Sequence, residues 1–479
     1  MKSFPALYFS NLLLAIGTGL LTTYLALYLT KSNVNAFWIG LLMSSYYAGL
    51  LTGSKMGYLL IKQVGHIRAY AASTGMIIAC CAVHALNDHI LVWLAIRFIF
   101  GIGMMCNFMI LESWLNEQAE PEQRGRLFAF YMITAYLGMV IGQYTISWFS
   151  DLGTEPLLMV IICISLCIIP IATTRRIHPS PLKETHFSVL SYWRKTPQAL
   201  TTILFSSMII ASFYGLSPVL MKDTGFNAQQ IALVMSCTVL AGLIAQWPMG
   251  ILSDKFSRSV LIRINVLCLT FICIGIFIVP FTFTHMILLS SLFGLFAFSL
   301  YPLASALANS RVEQGDRVGV SSALLMTFGV GAGFGTPLIA KAMDIFGYVL
   351  LYGIMASIST VLLILLIFMN TRLRTETPEN SEYVVTTSDL SSSPLAASFD
   401  PRIDEEVAHE QLLDEKLEMD VEQEMNSENV KNTEDARCET DLNTGLAEDL
   451  AEKFKNNKDN KDNKDNKDND DDTPDNKKE

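Results

Sequence analysis

Apolar residues fill the first 370 positions in long blocks, each closed by a short polar stretch. A helix that crosses the hydrocarbon core of a bilayer needs about 20 predominantly apolar residues. On that rule the pattern predicts twelve spans, at 5–30, 36–60, 67–87, 90–115, 127–149, 156–176, 199–221, 228–251, 260–281, 285–308, 318–342 and 346–370. The first block follows only Met1, Lys2 and Ser3. It is too long for a signal-peptide core and lacks a small-residue cleavage site, so it reads as span 1.

The basic residues orient these spans. With the N-terminus in the cytoplasm, seventeen Lys and Arg residues lie on inner loops and helix ends, among them Lys62, Arg68, Arg124, Arg126, Lys255 and Arg258. The outer side holds Lys31, Lys222 and Lys341. This one-sided pattern predicts an inner-membrane protein with both termini cytoplasmic. A miscounted span would scramble the asymmetry, so the asymmetry supports the count of twelve.

Composition changes the picture at residue 370. The chain is 51% hydrophobic yet carries a net charge of −11. Residues 1–370 hold 20 basic against 13 acidic side chains, and residues 371–479 hold 14 against 32. A membrane body is therefore followed by an acidic, water-soluble tail. The tail is poor in aromatics and ends in four Lys-Asp-Asn repeats at 458–469. It has too little apolar surface to offset chain entropy, so disorder is expected. Residues 403–425, with Val407, Leu413, Leu417 and Val421, could form a weak acidic amphipathic helix. The tail is either a solvated extension or a segment for an unknown partner or for gating.

Eight of the nine cysteines lie in apolar runs, where a thiol packs as a small hydrophobe; Cys438 is in the tail. Cys163 and Cys167 share one helical face but lack the His or Cys neighbours of a zinc set, so no metal and no cofactor is expected. There is no GxxxxGK[ST] phosphate loop, which argues against ATP as the driving force. No nucleophile–base pair or His cluster sits in the spans, so an enzyme is disfavoured. No nucleic-acid partner is expected either.

The stretch Gly250-Ile-Leu-Ser-Asp-Lys-Phe-Ser-Arg258 joins two apolar blocks through a short charged hairpin. Asp254, Lys255 and Arg258 belong at the water boundary, because a charge at the bilayer centre costs several kcal/mol. This nonapeptide resembles the loop signature of the major facilitator superfamily, G-x-L-x-D-[RK]-x-G-R, with Ser257 at the second glycine. A degraded copy runs from Gly57 to Arg68, keeping Gly57, Leu59, Gly65 and a basic end but no acid. The halves also repeat internally. Ile39-Gly-Leu-Leu-Met43-Ser44 echoes Ile231-Ala-Leu-Val-Met235-Ser236, and Asn116 precedes Arg124 as Asn309 precedes Arg317. The resemblance implies an all-α membrane fold of twelve helices in two pseudo-symmetric halves, 1–176 and 199–370. A linker at 177–198 joins them, and the tail at 371–479 follows. It also implies a substrate site between the halves, which rock about it.

Candidate functional residues follow. Arg97, in Arg97-Phe-Ile-Phe-Gly101-Ile-Gly103, matches the superfamily pattern R-x-x-x-G-x-G. It could snorkel to the outer interface, or face the central cavity as a proton-coupling or anion-binding group. Glu117, with Pro121, Arg124 and Arg126, resembles the inner ends of spans 4 and 5 that pair when the inner gate shuts. The gate set implied by the resemblance is Gly57, Gly65, Arg68, Glu117, Arg124, Arg126, Gly250, Asp254, Lys255 and Arg258. Asp254 is expected to cap a nearby helix or pair with an arginine. Glu112 is the one carboxylate placed inside a span of the first half. It is either a proton-coupling site, cycling between burial and contact with Arg97 or a loop arginine, or a second member of the gate network. Gly138-x-x-x-Gly142-Gln143 lacks the proline of drug antiporters, so it does not imply export. Gly331-x-Gly333-x-Gly335-x-Pro337 reads as a close-packing and bending element. Asn11, Thr18, Gln143, Tyr214, Gln246 and Tyr301 are cavity candidates by fold analogy.

At finer grain the chain is similar to one bacterial branch of the superfamily, the YcaD-like transporters. The resemblance rests on Glu112-Ser113, Arg124-Gly-Arg-Leu127, Tyr214-Gly-Leu216, Gln246-Trp-Pro248 and Leu300-Tyr-Pro302. It covers nearly all of residues 5–370. The expected activity is secondary transport of a small solute across the bilayer by alternating access, coupled to protons. An uncoupled facilitator, or a sensor that signals through the acidic tail without transporting, are the alternatives.

Overall fold

The computed structural model describes residues 4–118, 123–149, 151–173, 189–312, 317–372 and 393. All of them fall in the unit Met1–Ile403. The rest of the tail, including the candidate helix at 403–425, lies outside the described residues, as do Pro121 and the side chains of Glu117 and Asp254. Among the described residues the regular structure is entirely helical. The helices are α1 (Phe4–Lys31), α2 (Ala36–Val64), α3 (His66–Leu86), α4 (Ile90–Gln118), α5 (Arg124–Thr145), α6 (Glu155–Leu166), α7 (Ile168–Ala172) and α8 (Val189–Lys195). They continue with α9 (Pro197–Asp223), α10 (Ala228–Lys255), α11 (Arg258–Ile278), α12 (Phe283–Ala297), α13 (Leu300–Asn309), α14 (Arg317–Phe346) and α15 (Leu351–Arg372).

Among the described residues eleven helical segments are long and apolar enough to cross a membrane. The remaining predicted span is α2. At 29 residues it is long enough, but Ser44, Ser45, Tyr46, Tyr47, Thr52, Ser54 and Lys55 lower its hydropathy. The helix packs against α4 and α14, with Ser44 and Tyr47 buried and Thr52 and Lys55 exposed.

Two predicted spans are broken, each by a proline. Span 6 divides into α6 and α7 at Cys167, three residues before Pro170. Pro170 has no N–H for the Leu166 carbonyl, and beside the break Ser10 Oγ of α1 donates to the Cys167 carbonyl at 2.5 Å. Span 10 divides into α12 and α13 at Phe298–Ser299. Pro302 has no N–H for the Phe298 carbonyl four residues earlier, and that carbonyl accepts Gln246 Nε2 of α10 at 3.3 Å. The linker, expected as a polar connector, contains the short helix α8, whose Tyr192 lies against Gly319 of α14.

Small residues set the tightest crossings. A Cβ on Gly49 of α2 would stand 2.1 Å from the Phe98 carbonyl oxygen, and one on Gly101 of α4 would stand 2.3 Å from that of Tyr46. The two backbones touch there, which only glycine permits. Gly138 and Gly142 play the same part for α5 against α1.

Helices from before residue 177 pack on helices from after residue 196, α2 against α14 and α9, α5 against α10, and α1 against α9.

Candidate translocation cavity and gates

The Gly49–Gly101 crossing fixes what lies one turn away. It brings Arg97 of α4 against Tyr46 of α2, at the wall of a cavity with about 600 Å³ of atom-free space, part of it open to solvent. Its polar lining is Asn11, Thr18 and Thr22 from α1 and Arg97 from α4. Tyr46, Tyr47, Phe108, Met43, Met104 and Met139 supply an aromatic and thioether wall, and Tyr214 of α9 closes it from the second repeat. Of the six cavity candidates, Asn11, Thr18 and Tyr214 line this space. Gln246 does not, because its amide serves the Phe298 carbonyl. Tyr301 packs edge-on to Phe328 with ring centroids 5.7 Å apart. Gln143 is fully buried on α5, away from the lining, with neither side-chain polar atom hydrogen-bonded.

Arg97 faces inward rather than snorkelling, with 1% of its surface exposed. Its guanidinium carbon lies 5.0 Å from the Tyr46 ring centre and 5.2 Å from that of Phe100. Nη2 reaches the Met43 sulfur at 3.9 Å, while Nε and Nη1 have no partner. Cation–π contact is worth about 0.5–2 kcal/mol, less than the several kcal/mol it costs to bury an ion unpaired. Among the described residues the one ion pair is Lys31 with Asp151, on the surface. Among the described residues no carboxylate compensates Arg97.

Glu112 is fully buried fifteen residues further along α4. At 1.5 Å per residue that is roughly 22 Å from Arg97, so the contact with Arg97 weighed for its charged state cannot form within this continuous helix. No loop arginine touches it among the described residues. Its partner is Ser393, whose backbone N–H donates to Oε1 and Oε2 at 2.9 and 3.0 Å and whose hydroxyl donates to Oε2. Tyr131 of α5 and Tyr301 of α13 stand within electrostatic reach of the carboxylate. Glu112 thus lies between the repeats, held by a residue of the tail. Sequence reasoning could not find this contact, since Ser393 is one of a run of serines 281 residues away.

The gate residues are dispersed. Arg68, Arg126 and Lys255 are exposed, and Arg124 is half-buried. Gly250 is buried, Gly57 packs on Met109, and Gly65 turns the chain between α2 and α3 at a φ of +79°. The charged hairpin is shorter than its sequence suggests: Asp254 and Lys255 are in the last turn of α10, and Phe256 and Ser257 alone separate it from α11. Arg258 folds inward, 1% exposed, and Nη1 donates to the Ala306 carbonyl near the end of α13 at 3.2 Å. A cation at a helix C-terminus is favourable there.

At the opposite end, which the basic-residue pattern assigns to the outside, an unforeseen contact joins the repeats. Asp344, in the last turn of α14, accepts the N–H groups of Ala36 and Phe37 at 2.9 Å each. The carboxylate thereby caps the positive N-terminus of α2, whose own Asn35 makes no side-chain cap. Below it Gly40 lies against Ala340 and Thr336, and Ser44 Oγ donates to the Gly333 carbonyl. Ser236 Oγ of α10 donates to the Val140 carbonyl of α5 at 3.1 Å. The sequence signal for this seal is an acid at the end of span 11 and a span 2 that begins without one.

These features define a class: a multi-pass helical membrane protein built around a partly polar cavity between two sets of helices. The family model of the Major Facilitator Superfamily matches residues 7–289 and 199–400. The chain is 32% identical over 359 residues to the MFS-type transporter YcaD of Salmonella newport (strain SL254), covering 74% of this chain and 93% of the relative. The chain belongs to the Major Facilitator Superfamily and is a YcaD-like membrane transporter. Its fold is shared with the nucleoside transporter NupG, at a TM-score of 0.63 and 15% identity over 77% of this chain and 99% of that one. It is shared too with a bacterial homologue of the human lysosomal transporter Spinster in an inward-facing and occupied conformation. That match has a TM-score of 0.62 at 16% identity over 78% and 96% of the two chains.

Proposed function

We propose that the protein is a secondary active transporter that moves a small solute across the bacterial inner membrane by alternating access, coupled to protons. In this reading twelve spans form two six-helix halves and both termini are cytoplasmic. Reporter fusions after residue 370 then give a cytoplasmic signal, and fusions at 151–155 an external one. An external tail would break the topology.

The observation that carries the reading is the pairing of a sealed outer end with a buried carboxylate toward the other end. Asp344 closes one side across the repeats, while Glu112 lies between them without a basic partner among the described residues. A carboxyl that is desolvated in one state and hydrated in the other changes its proton affinity between them. Alternation then binds a proton on one side and releases it on the other. The gate residues Gly57, Gly65, Arg68, Glu117, Arg124, Arg126, Gly250, Asp254, Lys255 and Arg258 form the inner closure in the state opposite to this one.

A thermal-shift screen of the purified protein against metabolites and drugs supplies a substrate. In proteoliposomes, Glu112→Gln then abolishes accumulation driven by a pH gradient and leaves exchange largely intact. A parallel loss of both makes Glu112 a gate residue, and unchanged accumulation removes it from coupling.

A further inference from the structure

We infer that the cavity takes an organic anion, a carboxylate carried on an aromatic or otherwise apolar body, with Arg97 as its anchor. The inference rests on the cavity being the substrate site of the transporter proposed above. Arginine stays protonated in proteins, and its guanidinium presents five N–H donors. Three of them, one on Nε and two on Nη1, have no acceptor. The group is 1% exposed. Among the described residues no acidic side chain lines the cavity, and Glu112 is too far along α4 to serve. The missing partner is therefore an anion that arrives from outside the protein.

The rest of the wall specifies the body of that anion. Tyr46, Tyr47, Phe108 and Tyr214 offer ring faces and edges, and the thioethers of Met43 and Met104 adapt to irregular apolar shapes. Asn11 already spends its amide N–H groups on the Tyr131 carbonyl and the Thr134 hydroxyl. Thr18 donates to the Leu14 carbonyl. Neither is a spare donor for a second strongly hydrated group. A fully hydrophilic anion such as phosphate would have to shed water against these rings with one cation to replace it. A carboxylate with an apolar body loses less and gains the wall.

The test is a binding panel on the purified full chain in detergent, read by thermal shift and isothermal titration. Indole-3-acetate and benzoate are set beside the neutral amides indole-3-acetamide and benzamide, the amines tryptamine and benzylamine, and sodium phosphate. The carboxylates are expected to stabilise the protein and the amides and amines not to. Arg97→Gln should weaken carboxylate binding about 10- to 100-fold, the loss of charge-assisted hydrogen bonds, and Arg97→Lys should retain part of it. Without ligand, Arg97→Gln should melt no lower than the parent, because an uncompensated buried charge is gone; this shows that the variant folds. Equal binding of amides or amines, undiminished binding by Arg97→Gln, or a response to phosphate alone would overturn the inference. So would a panel in which no carboxylate binds. Proteoliposome uptake separates the two readings. A bound carboxylate that is never transported refutes the transport mechanism and leaves the site, whereas transport of a neutral solute leaves the mechanism and refutes the anion site.

Discussion

The Asp344 cap offers the sharpest test of the proposed outer seal. The carboxylate accepts two backbone N–H groups at 2.9 Å, both from the first turn of α2. A hydrogen bond to a charged acceptor contributes about 1.5–3 kcal/mol, and a charge at a helix terminus about 0.3–2 kcal/mol. Asp344 is only half-buried, so solvent screening reduces the pair to about 1–3 kcal/mol in total, a factor of about 5–150 in a conformational equilibrium. Asp344→Ala removes the whole contact. Asp344→Asn keeps a neutral acceptor and should lie between. The readout is electron–electron double resonance in lipid nanodiscs between spin labels at His89 and Thr284, exposed residues at the outer end of each repeat. The expected result is a growing population at longer distance in the order parent, Asn, Ala. The reasoning is refuted if Asp344→Ala leaves the distance distribution unchanged. A fall in melting temperature without any change in distance would make the cap a stability element and no gate.

Other outcomes follow from the same geometry. Gly101→Ala forces a methyl to within about 2.3 Å of the Tyr46 carbonyl and should cost about 1–3 kcal/mol as overpacking. Gly333→Ala meets nothing within 4 Å and should be neutral or stabilising by up to about 1 kcal/mol through helix propensity; melting curves in detergent compare the two. Ser393→Pro deletes both the N–H and the hydroxyl that hold Glu112, so labelling of Glu112 by dicyclohexylcarbodiimide should accelerate several-fold, and an unchanged rate would show that the tail does not cover it in solution. Lys31 beside Asp151 holds that carboxyl below the usual carboxylate range. A lowered folded pKa gives a contribution present above the ordinary carboxyl range and lost as pH falls through the lowered value. Asp151→Asn, or high salt, should remove this acid sensitivity together with the small contribution the pair makes at neutral pH, as pH-dependent melting would report.

Most of the architecture was legible in the sequence because the bilayer imposes a length and a polarity on each span. Eleven of twelve expected spans recur among the described residues as helices long and apolar enough to cross a membrane, most with ends within a few residues of prediction. The one that falls short on hydropathy, α2, faces protein on two sides, a fact of packing. The glycine motifs also announced themselves: Gly101 and Gly138-x-x-x-Gly142 mark backbone contacts wherever their partners lie. Which partners these are was decided by tertiary structure alone.

The same division runs through the site. Arg97 and Glu112 stood out in the sequence as charges inside apolar blocks, and both are buried. Their environments did not, since these depend on residues distant along the chain. Arg97 faces the cavity because α2 and α4 touch at Gly49 and Gly101, which leaves its guanidinium beside Tyr46 rather than at the interface. Gln246 looks like a cavity side chain until Pro302, 56 residues later, frees a carbonyl that needs it. Asp344 and Ala36 are 308 residues apart, and no local pattern couples them. Hydropathy is a property of each residue and survives in the sequence. A hydrogen bond across the repeats is a property of two surfaces, and exists only when the fold brings them within 3 Å.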